Sequence, residues 1–300
     1  MSGRIAVVLV NYRGWRDTVE CLASLRAVQY PPGLEMVVVD NGSGDVSVAE
    51  IRARFPEAFL LEMGKNLGFA GGCNAGMRFA RERGTEFIWL LNNDTTVDPQ
   101  SARALVDLAR SHPEASFFGS LISFASEPQR IWFGGGKYGA RTGSLANVGF
   151  NRPVSEFDGH AAAVRTDWIT GCSLLIRSSL LDEIGFMDED FFLYLEEVEW
   201  ELRRPNSAWL VPRALVQHKS GRTTGGTSSS PLGRVFWSRN YLKLAGRRAG
   251  KYLPLWLGRW ALFNVLGPAL KGRLSLARAT LAGLAELRSP GPSIVERWRS

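Results

Sequence analysis

The sequence predicts an α/β fold built on a doubly wound, mostly parallel sheet. Three observations carry the prediction. Strand-like and helix-like segments alternate through the first half of the chain. The strand-like runs are continuously apolar and β-branched, as strands covered on both faces are. Polar clusters follow these runs at their C-terminal ends, where such sheets bind their ligands.

Each element has its own signal. Ile5–Val10 (IAVVLV) reads as a buried strand, and its six residues are too few for a signal-peptide core or a membrane span. Asp17 starts a helix with Glu20 in capping-box spacing, and Val19, Leu22 and Arg26 follow at helical intervals. Pro31-Pro32-Gly33 breaks the chain. Met36–Val39 is a second strand, with Asp40-Asn41-Gly42-Ser43-Gly44 as a turn at its end. Phe59–Met63 is a weaker strand, Ala70–Arg83 a helix and Phe87–Leu91 (FIWLL) a strand. Pro99–Ser111 reads as a helix with Asp98 as N-cap and Pro99 at its first position.

Beyond this, residues 125–165 are Gly-rich and irregular, fitting hairpins or a mobile flap. An acidic-aromatic stretch, 188–199, leads into a helix from about Glu196 to Arg204. Ala208–Val211 and Leu215–His218 look like short strands, and Ser220–Ser230 like a flexible segment. No internal repeat is visible.

The composition is globular, 45% apolar and 22% charged, which excludes a disordered chain. Cys21, Cys73 and Cys172 form no CxxC pair, which excludes a disulfide scaffold and suits a reducing compartment. The net charge of +7 is uneven. Residues 236–300 hold 12 Lys or Arg and 2 Asp or Glu, a net of +10; residues 1–235, with 24 and 27, carry −3. Such asymmetry marks a separate task for the last segment.

Three polar clusters sit at strand ends: Asn11-Tyr12-Arg13, Asp40-Asn41-Gly42-Ser43 and Asn92-Asn93-Asp94. Asp94 can hold a divalent cation against a diphosphate, or close an Asx-turn. His218 ends a short apolar strand and can complete a metal site with a distant Asp, or be structural. Glu196, Glu197, Glu199 and Glu201 crowd one helix start, where carboxylates suit the dipole. Behind Phe191, Phe192 and Tyr194, one of them can also serve as a general base of raised pKa. The first strand is followed by Asn11-Tyr12-Arg13-Gly14-Trp15-Arg16 in place of GxGxxG, and GxxxxGK[ST] and GxSxG are absent from the sequence. Nicotinamide, flavin, P-loop and serine-hydrolase readings therefore lose support.

In order, VVLVNYRG (7–14), CLASL (21–25), VVVDNGSGD (37–45), NLGFAGGCNAG (66–76), LLNNDTTVDP (90–99), DWITGCSLLIR (167–177), GFMDEDFFLYLEEVEWELR (185–203) and WLVPRALVQHKSG (209–221) resemble the family 2 glycosyltransferases. The likeness is to the bacterial rhamnosyltransferase-like branch, covers residues 4–242, and includes SRN at 238–240. It implies a GT-A fold and a nucleotide-sugar donor, with dTDP-rhamnose the donor the branch suggests. It implies that Asn11, Tyr12, Asp40, Asn41, Asn66, Asn74, Asn92 and Asn93 hold the donor nucleotide, Asp40 accepting from a pyrimidine N3–H. Asp94 and His218 would bind Mg²⁺ or Mn²⁺. Asp167, Trp168, Gly171 and Glu196 would line the sugar or acceptor pocket, and Glu197 would be the base of an inverting displacement. The sequence departs from the family at that base: EDxD reads Glu196-Glu197-Val198-Glu199. Glu for Asp lengthens the arm by about 1.5 Å, and a misplacement of about 1 Å can cost ~100-fold in rate.

Residues 1–235 are thus expected to form the catalytic domain, and 236–300 a basic amphipathic helical segment. Leu253–Leu270 carries one charge, Arg259, and two prolines, Pro254 and Pro268. With basic flanks and with Trp256 and Trp260 read as interface residues, it suits a helix lying on an anionic membrane better than a span. A helical pair packed on the catalytic domain is the other reading. Apolar residues with Trp between basic flanks favour lipid over nucleic acid. The expected setting is the cytoplasmic face of the plasma membrane, with residues 246–300 as contact and a glycan or polyprenyl-linked sugar as acceptor. A nucleotidyltransferase and a non-catalytic glycan-binding protein are the rival functions.

Overall fold

The structure is a computed structural model and describes residues 3–31, 33–157, 163–219 and 230–298. Residues 220–229 of the expected flexible segment lie outside the described residues.

The N-terminal half alternates as expected: β1 (Ile5–Asn11), α1 (Trp15–Arg26), β2 (Leu34–Asp40), α2 (Ser47–Arg54), β3 (Phe59–Glu62), α3 (Gly68–Glu82), β4 (Phe87–Leu91), β5 (Thr95–Val97) and α4 (Ser101–Ser111). Then come β6 (Phe117–Phe124), β7 (Ile131–Phe133), β8 (Gly136–Gly139), β9 (Ser144–Asn147), β10 (Val164–Thr166), β11 (Ser173–Arg177), α5 (Leu180–Ile184), α6 (Glu196–Glu201) and β12 (Ala208–His218). The chain continues through α7 (Pro231–Arg248), α8 (Leu253–Trp260), a π-helical segment Ala261–Leu266, α9 (Gly267–Leu270), α10 (Leu274–Ala285) and α11 (Gly291–Trp298).

Among the described residues the main sheet runs β10-β12-β6-β11-β4-β1-β2-β3, with β5 on β12 and β7 on β6. The block β4-β1-β2-β3 is parallel, as is β6 with β12; β11 lies antiparallel between the two blocks. The β-branched runs of β1 and β2 and the large apolar side chains of β4 fill the centre and are almost wholly buried. Helix α3 packs tightly on β1 because Gly72 and Gly76 lack side chains. A Cβ at Gly76 would come within 2.2 Å of Val8 Cγ1, and one at Gly72 within 2.8 Å of Val10 Cγ1.

Several local expectations are corrected. Helix α1 begins at Trp15, ahead of Asp17, with the Thr18 N–H on the Gly14 carbonyl at 3.1 Å. Asp98 is not the N-cap of α4, and Pro99 lies before it; Asp98 Oδ1 instead accepts from the Gln100 N–H at 2.9 Å, closing a turn. Helix α6 stops at Glu201. The two short strands near 210 are one strand, β12, with a shift of register between Val211 and Leu215. The Gly-rich stretch includes an antiparallel hairpin, β8–β9.

The expected boundary at 235 falls within α7. Trp256 and Trp260 are buried and face the protein, which corrects their reading as membrane-interface residues. Trp256 Nε1 donates to the Ala140 carbonyl at 3.2 Å, and Trp260 Nε1 to Ser238 Oγ at 3.1 Å. Among the described residues no helix is long and apolar enough to cross a membrane. Trp256→Ala should therefore lower unfolding free energy by about 3–5 kcal/mol, measured by urea titration.

Candidate active site

The C-terminal ends of β1, β2 and β4 open on a cavity of about 670 Å³. Tyr12, Asn41, Asn66, Asn92, Asn93 and Asp94 line one side; Trp168, Gly171, Glu196 and Glu197 line another, and His218 joins them. Asn11 and Asp40, paired in register, lie buried just behind. Asn11 Nδ2 donates to Asp40 Oδ1 at 2.8 Å, and Ser43 Oγ donates to the same oxygen at 2.6 Å. Thr18 Oγ1 donates to Asn11 Oδ1 at 2.9 Å and accepts from Asn93 Nδ2 at 2.9 Å. Asn41 bridges to the next loop, donating to Asn66 Oδ1 at 3.1 Å and to the Gly68 carbonyl at 2.9 Å.

Two predicted residues stand outside the cavity wall. Asn74 exchanges hydrogen bonds with the Met187 backbone, at 2.9 and 3.1 Å, and so fixes the 187–189 segment against α3. Asp167 Oδ2 accepts from the Tyr138 N–H at 2.9 Å, tying the segment before β11 to the hairpin.

Asp94 and His218 are 124 residues apart in sequence but adjacent in space. Antiparallel pairing of β5 with β12 sets His218 opposite Thr95, so Asp94 Oδ1 lies 3.1 Å from His218 Nε2. His218 Nδ1 is buried without a partner, and the Trp132 ring packs edge-on against the imidazole at 4.4 Å. One carboxylate and one imidazole facing a cavity fit a divalent cation that takes its remaining ligands from a diphosphate and water. Among the described residues no third His, Cys, Asp or Glu joins them.

The acidic wall rests on an unusual backbone. Phe192, Tyr194 and Leu195 all have left-handed φ, at 62°, 70° and 67°, a conformation that costs non-glycine residues. Asn240 Nδ2 meets the carbonyls of Phe191, Leu193 and Tyr194 at 2.8, 2.8 and 2.7 Å. The fully buried Arg239 holds Asp190 through its carbonyl and Oδ1, at 2.7 and 2.8 Å. The Phe192 carbonyl in turn accepts from the Phe69 N–H at 2.6 Å, joining this loop to the start of α3.

Burial pushes Glu196 well above the ordinary carboxylate range, and the neighbouring Glu197 charge adds to it. Burial also raises Glu197, against hydrogen bonds from its own N–H and those of Gly171 and Val198. Oε2 of each is buried without a partner.

The glycosyl transferase family 2 model matches residues 6–201, most of the chain. The chain belongs to that family. The transferase is 29% identical to the N-acetylglucosaminyl-diphospho-decaprenol L-rhamnosyltransferase of Mycobacterium tuberculosis, over 94% of this chain and 95% of that one. It is 29% identical to the galactofuranosyltransferase GlfT1 of the same species, over 68% of this chain and 65% of that one. Among solved structures it resembles Staphylococcus aureus TarS with UDP-GlcNAc, at TM-score 0.60 and 15% identity, covering 95% and 80% of the two chains. A mannosyltransferase from Pyrobaculum calidifontis with GDP-Man and Mn²⁺ aligns at TM-score 0.57 and 17% identity, covering 98% and 79%. The fold is GT-A.

Several residues of the transferase escaped the sequence reading. Trp132, Leu145 and Thr170 line the cavity, as do Leu232, Phe236 and Trp237 of α7. Trp132 had a signal in its IWFGGG context; the α7 residues had none. Glu201 was noted only as one of four acids. It is fully buried: Oε2 accepts from the Ile169 N–H at 2.9 Å, and Oε1 has no partner. Burial raises its pKa well above 4.5. The folded protein then binds this proton more tightly than the unfolded chain, so the stability tied to it is present below about pH 4.5 and lost as pH rises through the folded value. Glu201→Gln should remove that loss. It should stabilise the protein at pH 8 by about 1–3 kcal/mol and by less at pH 4, as read from denaturant midpoints.

Proposed function

We propose that this transferase moves a hexose, L-rhamnose from dTDP-rhamnose, onto a polyprenyl-diphosphate-linked sugar or growing glycan in cell-surface polysaccharide synthesis. The reaction is a single in-line displacement with inversion at the anomeric carbon. One observation carries the reading: Glu197, the Asp94–His218 pair and the asparagines of the strand ends share one cavity. The name of the mycobacterial relative supports the sugar and the lipid-linked acceptor.

Tyr12, Asn41, Asn66, Asn92 and Asn93 surround the base and ribose of the donor, with Asn11 and Asp40 bracing them from behind. Asn74 serves the nucleotide indirectly, by fixing α3 against the 187–189 segment. Asp94 and His218 would hold Mg²⁺ or Mn²⁺; the Mn²⁺ named with the archaeal mannosyltransferase is in line with this. When bound, that cation offsets charge on the leaving nucleoside diphosphate. Trp168 and Gly171 shape the acceptor pocket, with Asp167 tying that wall to the β8–β9 hairpin. Glu197 takes the proton of the acceptor hydroxyl, with Glu196 beside it on the cavity wall.

Glu197→Gln should lower kcat by about 10²–10⁴-fold and leave donor KM little changed in a nucleoside-diphosphate release assay. In the native enzyme, the raised Glu197 should place the acidic limb of kcat/KM above pH 4.5. Unchanged turnover in the variant would overturn this mechanism.

The membrane reading also draws support from side-chain placement. Most of the exposed large apolar residues fall in 255–284: Leu255, Leu257, Leu262, Phe263, Leu266, Leu270, Leu274, Leu281 and Leu284. Arg239, Lys243, Arg247 and Arg248 turn inward onto Asp188, Asp190 and Glu199. Lys271, Arg273 and Arg278 lie among the apolar residues and are exposed. This pattern suits an anionic lipid surface, with the protein peripheral on the inner face of the plasma membrane. Phe263→Asp with Leu266→Asp should weaken sedimentation with phosphatidylglycerol vesicles at least ~10-fold, since each buried side chain of this size is worth about 1.5–3 kcal/mol.

A further inference from the structure

Between the cavity and the exposed apolar face stands a cation with no acidic partner among the described residues. Arg234 lies in the first turns of α7, among Leu232, Gly233, Phe236 and Trp237, all of which line the cavity that holds Glu197. Its guanidinium reaches toward the π-helical segment, where Nη1 donates to Asn264 Oδ1 at 3.3 Å. Its Nε is buried with no acceptor. Burial lowers its pKa, and among the described residues no acidic neighbour opposes that. Arg239, on the same helix, shows the contrast: it is wholly buried, and its guanidinium donates to Asp190, Glu286, Ser289 and Asn240.

A half-buried guanidinium without a counter-charge is costly, and its planar fork matches phosphate oxygens. π-Helical turns occur often at functional sites. This one presents Leu262, Phe263 and Leu266 to solvent, each more than half exposed, on the same short segment as Asn264. A guanidinium without a described counter-charge and an exposed apolar lane therefore adjoin beside the cavity wall.

We propose that Arg234, seated against Asn264, binds the diphosphate of an isoprenoid-diphosphate-linked acceptor. The isoprenoid lies along Leu262, Phe263 and Leu266, and the sugar on the diphosphate enters the cavity past Leu232 and Trp237. The proposal rests on the lipid-linked-acceptor reading above. A phospholipid headgroup carries related chemistry and is separated by the test.

The test uses the full chain in EDTA, so that no cation at Asp94 and His218 can hold a diphosphate. Farnesyl diphosphate, farnesol and phosphatidylglycerol vesicles are titrated against tryptophan fluorescence. The native protein should bind farnesyl diphosphate at least ~10-fold more tightly than farnesol. Arg234→Gln should abolish that preference while leaving farnesol and vesicle binding unchanged. Arg234→Lys, which keeps the charge but not the fork, should retain part of the preference and guards against a Gln variant that fails to fold. Equal farnesyl diphosphate binding by native and Arg234→Gln proteins would overturn the proposal, as would a loss confined to vesicles. Donor hydrolysis with Mn²⁺ is measured in parallel. A native protein that hydrolyses donor but shows no preference for farnesyl diphosphate sinks this site alone. One that shows the Arg234-dependent preference but turns over no donor sinks the transferase mechanism instead and upholds the site.

Discussion

The site depends on the grip of Arg239 and Asn240 on residues 190–194. Three left-handed non-glycine residues in a span of four cost about 1–3 kcal/mol each. They persist because one carboxamide meets the carbonyls of Phe191, Leu193 and Tyr194, and one guanidinium holds Asp190. The turn they enforce delivers the first residues of α6, Glu196 and Glu197, to the cavity wall. It also aims the Phe192 carbonyl at the start of α3, which is close because Gly68 has no side chain: a Cβ there would lie 2.4 Å from that oxygen. The C-terminal helices are therefore tied to the cavity wall through α7.

Helix α6 sorts its acids by what each can reach. Glu199 faces Arg203, Arg247 and Arg248, at 2.6, 3.5 and 3.2 Å, and is neutralised by them. Glu196, Glu197 and Glu201 face the interior, and no ion pair with Arg or Lys compensates them among the described residues. Burial then raises all three, and backbone N–H groups, Ile169 on Glu201 among them, offset only part of it. Burial thus pushes three of these carboxyls upward, while the fourth sits among arginines.

The central sheet was legible because buried parallel strands write themselves as continuous apolar runs, β-branched in β1 and β2 and aromatic-aliphatic in β4. Asp94, His218 and Glu197 could be named from motif order, and strand pairing brings the first two together. Other features depend on long-range geometry. Strand β6 (FFGSLISF) is apolar on both faces, and apolar runs by themselves do not separate strand from helix. Asn74 sits in a motif with polar neighbours, and only the fold reveals that Met187 takes its hydrogen bonds. Trp256 and Trp260 read as interfacial because basic residues flank them, yet helical phase turns both inward and leaves leucines outside. Arg234 carries no local signal, since its separation from the described carboxylates is a fact of three dimensions.

Trp256 also couples two surfaces that look unrelated. Its ring packs against the β8–β9 hairpin, with Tyr138 at 6.0 Å and its Nε1 on Ala140. A Cβ at Gly143 would lie 2.4 Å from the indole, so the hairpin turn is seated directly upon it. The far end of that hairpin, Leu145 and Asn147, walls the cavity, while the same short helix α8 turns Leu255 and Leu257 outward. One indole ring is therefore a shared footing: the hairpin that walls the cavity and the short helix that carries the outer leucines rest on the same side chain.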